Sequence, residues 1–431
     1  MSKQEVSFFW FRRDLRLEDN AGLYHALKSQ YPVVPIFIFD EVILDKLPKD
    51  DARVGFIHEN LSKINEELIQ IDSSILVVRG KTLEVWDSLS KEYNIKEVFF
   101  NKDYEPYATK RDTEISKYLE NNNIVCHTVK DQVIFEEKEI TKADGLPYTV
   151  YTPFKNKWLE KYKSLAPIQE FDINAHYANF FKSNFVFPTL KQIGFKESSI
   201  KVKAHNLKFI SNYQDIRDFP AMDKTSYLSP HLRFGTVSVR KLVNWAFQKN
   251  DVFLSELIWR EFFMQILYNF PKVANRNFKS AYDGIQWRND EEDFKRWCAG
   301  KTGYPMVDAG MRQLNETGYM HNRVRMVVAS FLCKHLLIEW QWGEAYFAEK
   351  LLDYDMSANV GNWQWAAGTG CDAAPYFRVF NPEIQQKKFD ENGIYVRKWI
   401  KEFDLGYGKP MVEHAMARDR AIATYKAGIV K

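Results

Sequence analysis

Residues 6–16 read Val-Ser-Phe-Phe-Trp-Phe-Arg-Arg-Asp-Leu-Arg, an apolar run that passes directly into an arginine-rich turn. A short, continuously apolar run is what a strand buried on both faces looks like, and such strands belong to parallel sheets covered by helices. Working outward, β-branched and aromatic runs recur at 36–40, 74–78, 98–100 and 124–129, and amphipathic segments at 21–28, 53–69, 83–93 and 107–120 alternate with them. Strand then helix, repeated, predicts an α/β doubly wound parallel sheet with right-handed crossovers over residues 1–131. Pro35 falls near the start of its strand, where a missing donor is tolerable. The turn after the first strand, 11–16, carries arginines where a dinucleotide-binding fold carries glycines, so a dehydrogenase-type site is disfavoured. The plain reading of these arginines is structural ion pairing.

A chain of 431 residues, 45% hydrophobic and 27% charged, is long enough for two or three domains with substantial cores. Its apolar runs are too short to cross a bilayer, and the first is followed by arginines rather than a cleavage site, so a cytoplasmic protein is expected. The four cysteines, Cys126, Cys298, Cys333 and Cys371, have neither zinc-site nor redox spacing. Free thiols and no metal are therefore expected. A formal charge of only +3 means that a polyanionic partner would be held by a local basic groove. Aromatic content is high, 15% with twelve tryptophans, and most of these must be packing residues.

Between 132 and 212 the alternation stops and prolines, lysines and aromatics follow without period, which predicts an inter-domain connector, helical near 154–163. From Tyr213 to the end, 213–431, strand signals vanish and an all-α domain is expected, with helices at 239–248, 254–268, 306–317, 324–338 and 346–353.

That helical part carries the candidate chemistry. Glu256, Trp259, Arg260 and Phe263 fall on one helical face, mixing a carboxylate, an indole and a guanidinium that a structural helix would segregate. Asn322, Arg325 and Met326 share another face at i, i+3 and i+4. The stretch 351–375 then crowds acids, amides, tryptophans and glycines where aliphatics would serve a core, with Asp353, Asp355, Asn359 and Trp363 foremost. Buried polar groups must be paired, so this density demands an internal network or a polar ligand. The hydroxyls of Thr225, Ser226 and Ser229 suit a phosphate.

Six segments resemble, in order, the successive signatures of the photolyase and cryptochrome family: WFRRDLRLEDN, TSYLSPHLRFG, ELIWREFF, KTGYPMVDAGMRQL, MHNRVRM and GNWQWAAGTGCDAAPYFRVFNP. The resemblance covers most of the chain. It implies an N-terminal α/β antenna domain, a connector and an all-α C-terminal domain that holds FAD. By matching position, Tyr213, Thr225, Ser226, Tyr227, Leu228 and Ser229 would meet the phosphate side of the flavin nucleotide. Glu256 and Arg260 would run beside flavin and lesion, and Asn322, Arg325, Asp353, Asp355 and Asn359 would surround the ring, ribityl and adenine. Phe253 and Tyr319 stand where some relatives have tryptophan. Trp340, Trp363 and Trp287 match the relay that photoreduces the flavin. The stretch 104–108 lacks the Asn-Glu pair of folate-binding relatives, leaving both the presence and the identity of a second, antenna chromophore, methenyltetrahydrofolate or a deazaflavin, open.

Within the family, Glu256, Trp259, Asn322, Met326 and Trp365 resemble the cavity set of enzymes that split cyclobutane pyrimidine dimers by electron transfer from photoexcited, reduced FAD. On that reading Glu256, Asn322, Met326 and Asn359 are the catalytic set. A damaged dinucleotide is poorly stacked and cheap to flip. Trp259 and Trp365 would stack on it, and protonated Glu256 would donate to a pyrimidine carbonyl, which needs a pKa raised by burial. Arg217, Arg260, Arg323 and Arg378 would meet backbone phosphates of damaged DNA. Relatives of the DASH group usually differ at Met326, and six-four photolyases carry a His-rich segment where this chain has His321-Asn322-Arg323. The alternative is a DASH-like or signalling cryptochrome. The resemblance implies a monomer with no obligate protein partner and no membrane association.

Overall fold

The structure, a computed structural model, describes residues 3–429, and contacts divide the chain into two compact units. The first comprises the chain to Glu136 together with Leu159–Ala204 and Leu228–Gln248; the second comprises Glu137–Trp158, His205–Tyr227 and the chain from Lys249. The stretch 132–212 is thus shared between the units, and its helix, Tyr151–Leu165, begins in one and ends in the other.

In the first unit, β1 (Glu5–Phe11), β2 (Val33–Asp40), β3 (Leu76–Gly80), β4 (Asn94–Asn101) and β5 (Val125–Val129) form a parallel sheet in the order β3-β2-β1-β4-β5. Because side chains alternate along a strand, the apolar run of β1 supplies two cores. Phe9 and Phe11 pack with Leu23, Val54 and Leu61 on one face. Val6, Phe8 and Trp10 pack with Trp86, Leu89 and Leu119 on the other. The doubly wound sheet expected from the sequence is the one observed. Pro35 lies opposite Phe9 of β1, and β3 joins β2 only from Ile36 onward, so the missing donor interrupts no ladder on that side. Strand β4 begins earlier than its apolar residues suggest, because Asn94 pairs with Glu5 and Glu97 with Ser7, the register shifting at Lys96 between them.

The arginine-rich turn after β1 is ion-paired within this unit. Arg12 meets Asp112, Arg13 meets Asp103 at 3.2 Å, and Arg16 meets Asp131 at 2.8 Å. Arg240 joins the same cluster, 2.7 Å from Asp131 and 3.0 Å from Asp19. Burial pushes the Asp131 carboxyl up, but Arg16 and Arg240 more than reverse this and hold it below the ordinary carboxylate value. Breaking one member would leave buried charge uncompensated.

The second unit is helical. Asp251–Asn269 is capped by Asn250, whose side chain accepts from the N–H of Val252 and Phe253. Two expected helices differ from those observed. The segment read as one helix over 324–338 is α-helical over Asn322–Ser330, turns π-helical over Phe331–His335, and ends as Leu337 adopts a left-handed φ of 51°. Apolar periodicity runs on through the wide turn, so the sequence hides the break. The segment read as 346–353 is instead Trp340–Lys350, and Leu352 donates to Gly318 O at 3.0 Å rather than continuing the helix. Asp353 consequently lies in a loop ahead of the next helix, Met356–Ala367. Among the described residues no helix is long and apolar enough to cross a membrane, no group of three or more His, Cys, Asp or Glu is placed to hold a metal, and the cysteines are free.

Candidate functional site

The Met356–Ala367 helix builds one wall of a cavity in the second unit. Asp355 is its N-cap, with Oδ1 accepting from Ala358 N–H at 3.2 Å. This cap fixes where the helix starts and so which residues face inward. Asn359, Trp363 and Trp365 line the cavity from this wall, and Asn322, Arg325 and Met326 line it from Asn322–Ser330. The cavity opens to solvent.

Two polar arrangements give the cavity its chemistry. Arg325 Nη2 lies 2.9 Å from Asp353 Oδ2 and its Nε donates to Met320 O, so the ion pair is anchored to the loop. The other oxygen, Asp353 Oδ1, is buried without a hydrogen-bond partner in the protein. A buried, unsatisfied carboxylate oxygen is costly unless a ligand donates to it. In the second arrangement Asn359 Nδ2 donates to Glu344 Oε1 at 2.9 Å and to Glu344 O at 3.1 Å. The backbone carbonyl can only accept, so the amide NH2 is fixed toward Glu344, leaving the Asn359 carbonyl oxygen as the acceptor for a ligand. Burial raises the Glu344 carboxyl above its ordinary value.

Glycines bring the helices close enough to seat the tryptophans. A Cβ at Gly343 would lie 2.1 Å from the Trp363 ring, and one at Gly361 2.2 Å from Phe263. Trp363 is buried and meets Phe347 edge-on at 4.9 Å and Trp297 at 6.1 Å. Trp340 is wholly buried and donates through Nε1 to Asn277 Oδ1 at 2.9 Å, while Trp287 is half-buried beside Tyr425 at 5.6 Å.

The face of Asp251–Asn269 that carries Glu256 forms a second polar group. Arg217 Nη1 lies 2.6 Å from Glu256 Oε1 and its guanidinium sits over the Tyr213 ring. Tyr213 in turn meets Phe253 edge-on at 5.4 Å. Burial raises the Glu256 carboxyl above its ordinary value, with Arg217 opposing. One turn on, Trp259 lies face to face with Tyr151, their centroids 3.5 Å apart. Arg260 is half-buried. Tyr227, at a left-handed φ of 53°, meets Tyr319 edge-on at 5.2 Å.

The cavity therefore gathers Asn322, Arg325, Met326, Asp353, Asp355, Asn359, Trp363 and Trp365, while Glu256, Trp259, Arg217, Tyr213 and Phe253 form the neighbouring group. Thr225, Ser226 and Tyr227 belong to the second unit, whereas Leu228 and Ser229 fall in the first. Of the arginines expected at a polyanion, Arg217 is engaged by Glu256, Arg323 by Asp218 at 2.8 Å, and Arg378 is exposed. Glu344 was not read from the sequence as a site residue. With the helix start placed at Trp340, Glu344 falls four residues on, beside Phe347, as a carboxylate near a buried face, and that would have flagged it.

An α/β sheet unit accompanied by a helical unit with an acid- and amide-lined cavity defines a cofactor-binding protein. Family models match twice: a DNA photolyase domain over residues 7–172 and the FAD binding domain of DNA photolyase over residues 253–405. The deoxyribodipyrimidine photo-lyase of Vibrio cholerae is 36% identical, with 97% of this chain and 98% of that protein covered. A bacterial class III photolyase from Agrobacterium tumefaciens superposes with a TM-score of 0.85 at 32% identity, covering 99% of this chain and 98% of the other. An archaeal photolyase from Sulfolobus tokodaii, crystallised with two FAD molecules, has a TM-score of 0.83 at 33% identity, covering 98% and 100%. The chain belongs to the DNA photolyase family.

FAD is the cofactor of the matched domain, and the cavity fits it. The orphaned Asp353 Oδ1 and the Asn359 carbonyl accept hydrogen bonds, Arg325 supplies positive charge, and Phe347 and Leu351 supply apolar contact.

Proposed function

We propose that this protein is a light-dependent DNA repair enzyme, a deoxyribodipyrimidine photo-lyase, that splits cyclobutane pyrimidine dimers. The observation that carries the reading is the coexistence, in the helical unit, of an acid- and amide-lined cavity and a half-buried carboxylate with its proton affinity raised, Glu256. When bound and reduced, FAD supplies the photoexcitable electron donor.

The chain's own residues do the rest. Asp353, Arg325 and Asp355 hold the cofactor, with Tyr213, Thr225, Ser226, Tyr227, Leu228, Ser229, Phe253, Arg260 and Tyr319 as its further contacts. Asn359, oriented by Glu344, presents an acceptor at the ring. Glu256, whose proton affinity burial raises, donates in its protonated form to a pyrimidine carbonyl and stabilises charge that develops there. Asn322 and Met326 border the dimer, and Trp259 and Trp365 wall it. Trp363, Trp340 and Trp287 carry an electron inward to restore the reduced cofactor. Arg378 and Arg260 meet phosphate directly; Arg217 and Arg323 do so by exchanging their carboxylate partners. The protein works as a cytoplasmic monomer.

Purified, reduced protein mixed with thymine-dimer DNA tests this. Blue light restores intact thymines and darkness does not; no restoration in light sinks the proposal.

A further inference from the structure

Tyr151 opens its helix and is almost fully buried, 7% exposed. Its ring lies over the Trp259 indole with centroids 3.5 Å apart and planes 8° from parallel. Its hydroxyl donates to Ser255 O at 2.8 Å, one turn before Trp259, so the ring is held at its far end as well as by stacking. Phe262 meets both rings edge-on, at 5.8 Å from Tyr151 and 5.6 Å from Trp259. The Trp259 indole is thus braced by Tyr151 on a face, by Phe262 edge-on and by Phe263 at 5.4 Å.

The backbone of Tyr151 is tied to a second place. Its N–H donates to Asp372 Oδ2 at 3.0 Å. Asp372 lies seven residues beyond Trp365, in a loop that returns to it, since Ala374 N–H donates to Trp365 O at 3.3 Å. Trp365 bonded to Ala374, the loop from Ala374 back to Asp372, and Asp372 bonded to Tyr151 against Trp259 therefore link the two tryptophans that flank the proposed dimer site. Lys155 Nζ to Ser255 Oγ at 2.5 Å and Trp158 Nε1 to Glu261 at 2.7 Å seat the same helical turns along Asp251–Asn269.

We infer that Tyr151 is a positioning residue for dimer recognition, which backs Trp259 and, through Asp372, sets its spacing from Trp365. This rests on the reading of Trp259 and Trp365 as the walls of the dimer site. An aromatic wall immobilised before binding loses no side-chain freedom when the dimer stacks on it, so its contact area converts into affinity. Tyr151 itself touches neither cofactor nor dimer in this scheme, and its loss acts on binding rather than on the light step.

The test is a double-mutant cycle on the holoenzyme, reading affinity for thymine-dimer duplex, repair yield of bound dimer per absorbed photon, FAD absorbance and thermal midpoint. Tyr151→Ala and the fold-preserving Tyr151→Leu should each weaken dimer binding by about fivefold to tenfold, leave the yield and FAD absorbance unchanged, and be rescued by Tyr151→Phe. In a Trp259→Ala background, Tyr151→Leu should add no further loss. If Trp259→Ala weakens binding but Tyr151→Leu does not, or if the two losses simply add, Tyr151 does not act through Trp259 and the inference fails. If Trp259→Ala and Trp365→Ala both leave binding intact, the wall reading itself fails, and the inference with it.

Discussion

Asn359 and Glu344 are joined twice, by a 2.9 Å hydrogen bond to the carboxylate and a 3.1 Å bond to the same residue's backbone carbonyl. The pair determines which end of the Asn359 amide is left for the cavity. Glu344→Gln keeps an acceptor at that position and should retain FAD. Glu344→Leu removes it and should weaken FAD retention by about tenfold, the worth of one buried polar contact, while Asn359→Ala should shorten the lifetime of the reduced cofactor in air. The flavin-to-protein ratio after dialysis and the rate of reoxidation by absorbance measure both.

The Arg217 to Glu256 pair gives a pH signature. Burial raises the Glu256 carboxyl and Arg217 opposes the rise. A contact that uses protonated Glu256 is complete below its raised pKa and lost as pH climbs through it. Arg217→Ala removes the main opposing charge and should shift the falling limb of dimer affinity to higher pH. A titration of binding at constant ionic strength checks the direction, and a shift to lower pH contradicts it.

Lys334 is buried, its Nζ donating to Ala367 O at 2.8 Å and Tyr376 O at 3.1 Å at the end of the Met356–Ala367 helix. Burial lowers its pKa from 10.5 to about 7. The unfolded chain therefore binds one more proton than the folded chain between those values, and stability should rise with pH across that window, by at most about 1.4 kcal/mol per unit. Lys334→Met should flatten the rise in denaturant unfolding measured from pH 7 upward.

Gly343 and Trp363 are in contact too close for any added Cβ. Gly343→Ala should destabilise the protein by about 1–3 kcal/mol through overpacking, visible in chemical denaturation. Trp363→Phe keeps an aromatic ring in the core at some cost in packing and should abolish light-driven reduction of the oxidised cofactor, yet leave dimer splitting by chemically reduced protein intact.

The α/β half was legible because its signals are local. Continuous apolar runs such as Val6–Phe11 bury both faces, and the arginines that follow, read as structural ion pairs, are ion-paired. Sequence failed where tertiary hydrogen bonds decide. Leu352 bonds Gly318 instead of continuing its helix, and at the other end Glu339 N–H donates to Asn289 ahead of a start at Trp340, a start the sequence missed along with Glu344. Likewise Tyr151 lies over a hundred residues from Trp259, in a segment without periodicity, and no local pattern announces that they stack. Cavity residues such as Asp353 and Asn359 were readable because acids and amides in an otherwise apolar stretch have to be satisfied by something.

The central claim is tested most directly by substrate discrimination under one set of conditions. Reduced holoenzyme is given duplexes that carry either a cyclobutane thymine dimer or a six-four photoproduct, and restored thymines are counted after a blue-light pulse and after an equal time in the dark. The account predicts restoration of the cyclobutane dimer in light alone and an untouched six-four product. Restoration of the six-four product, or an unchanged cyclobutane dimer in light, would contradict it.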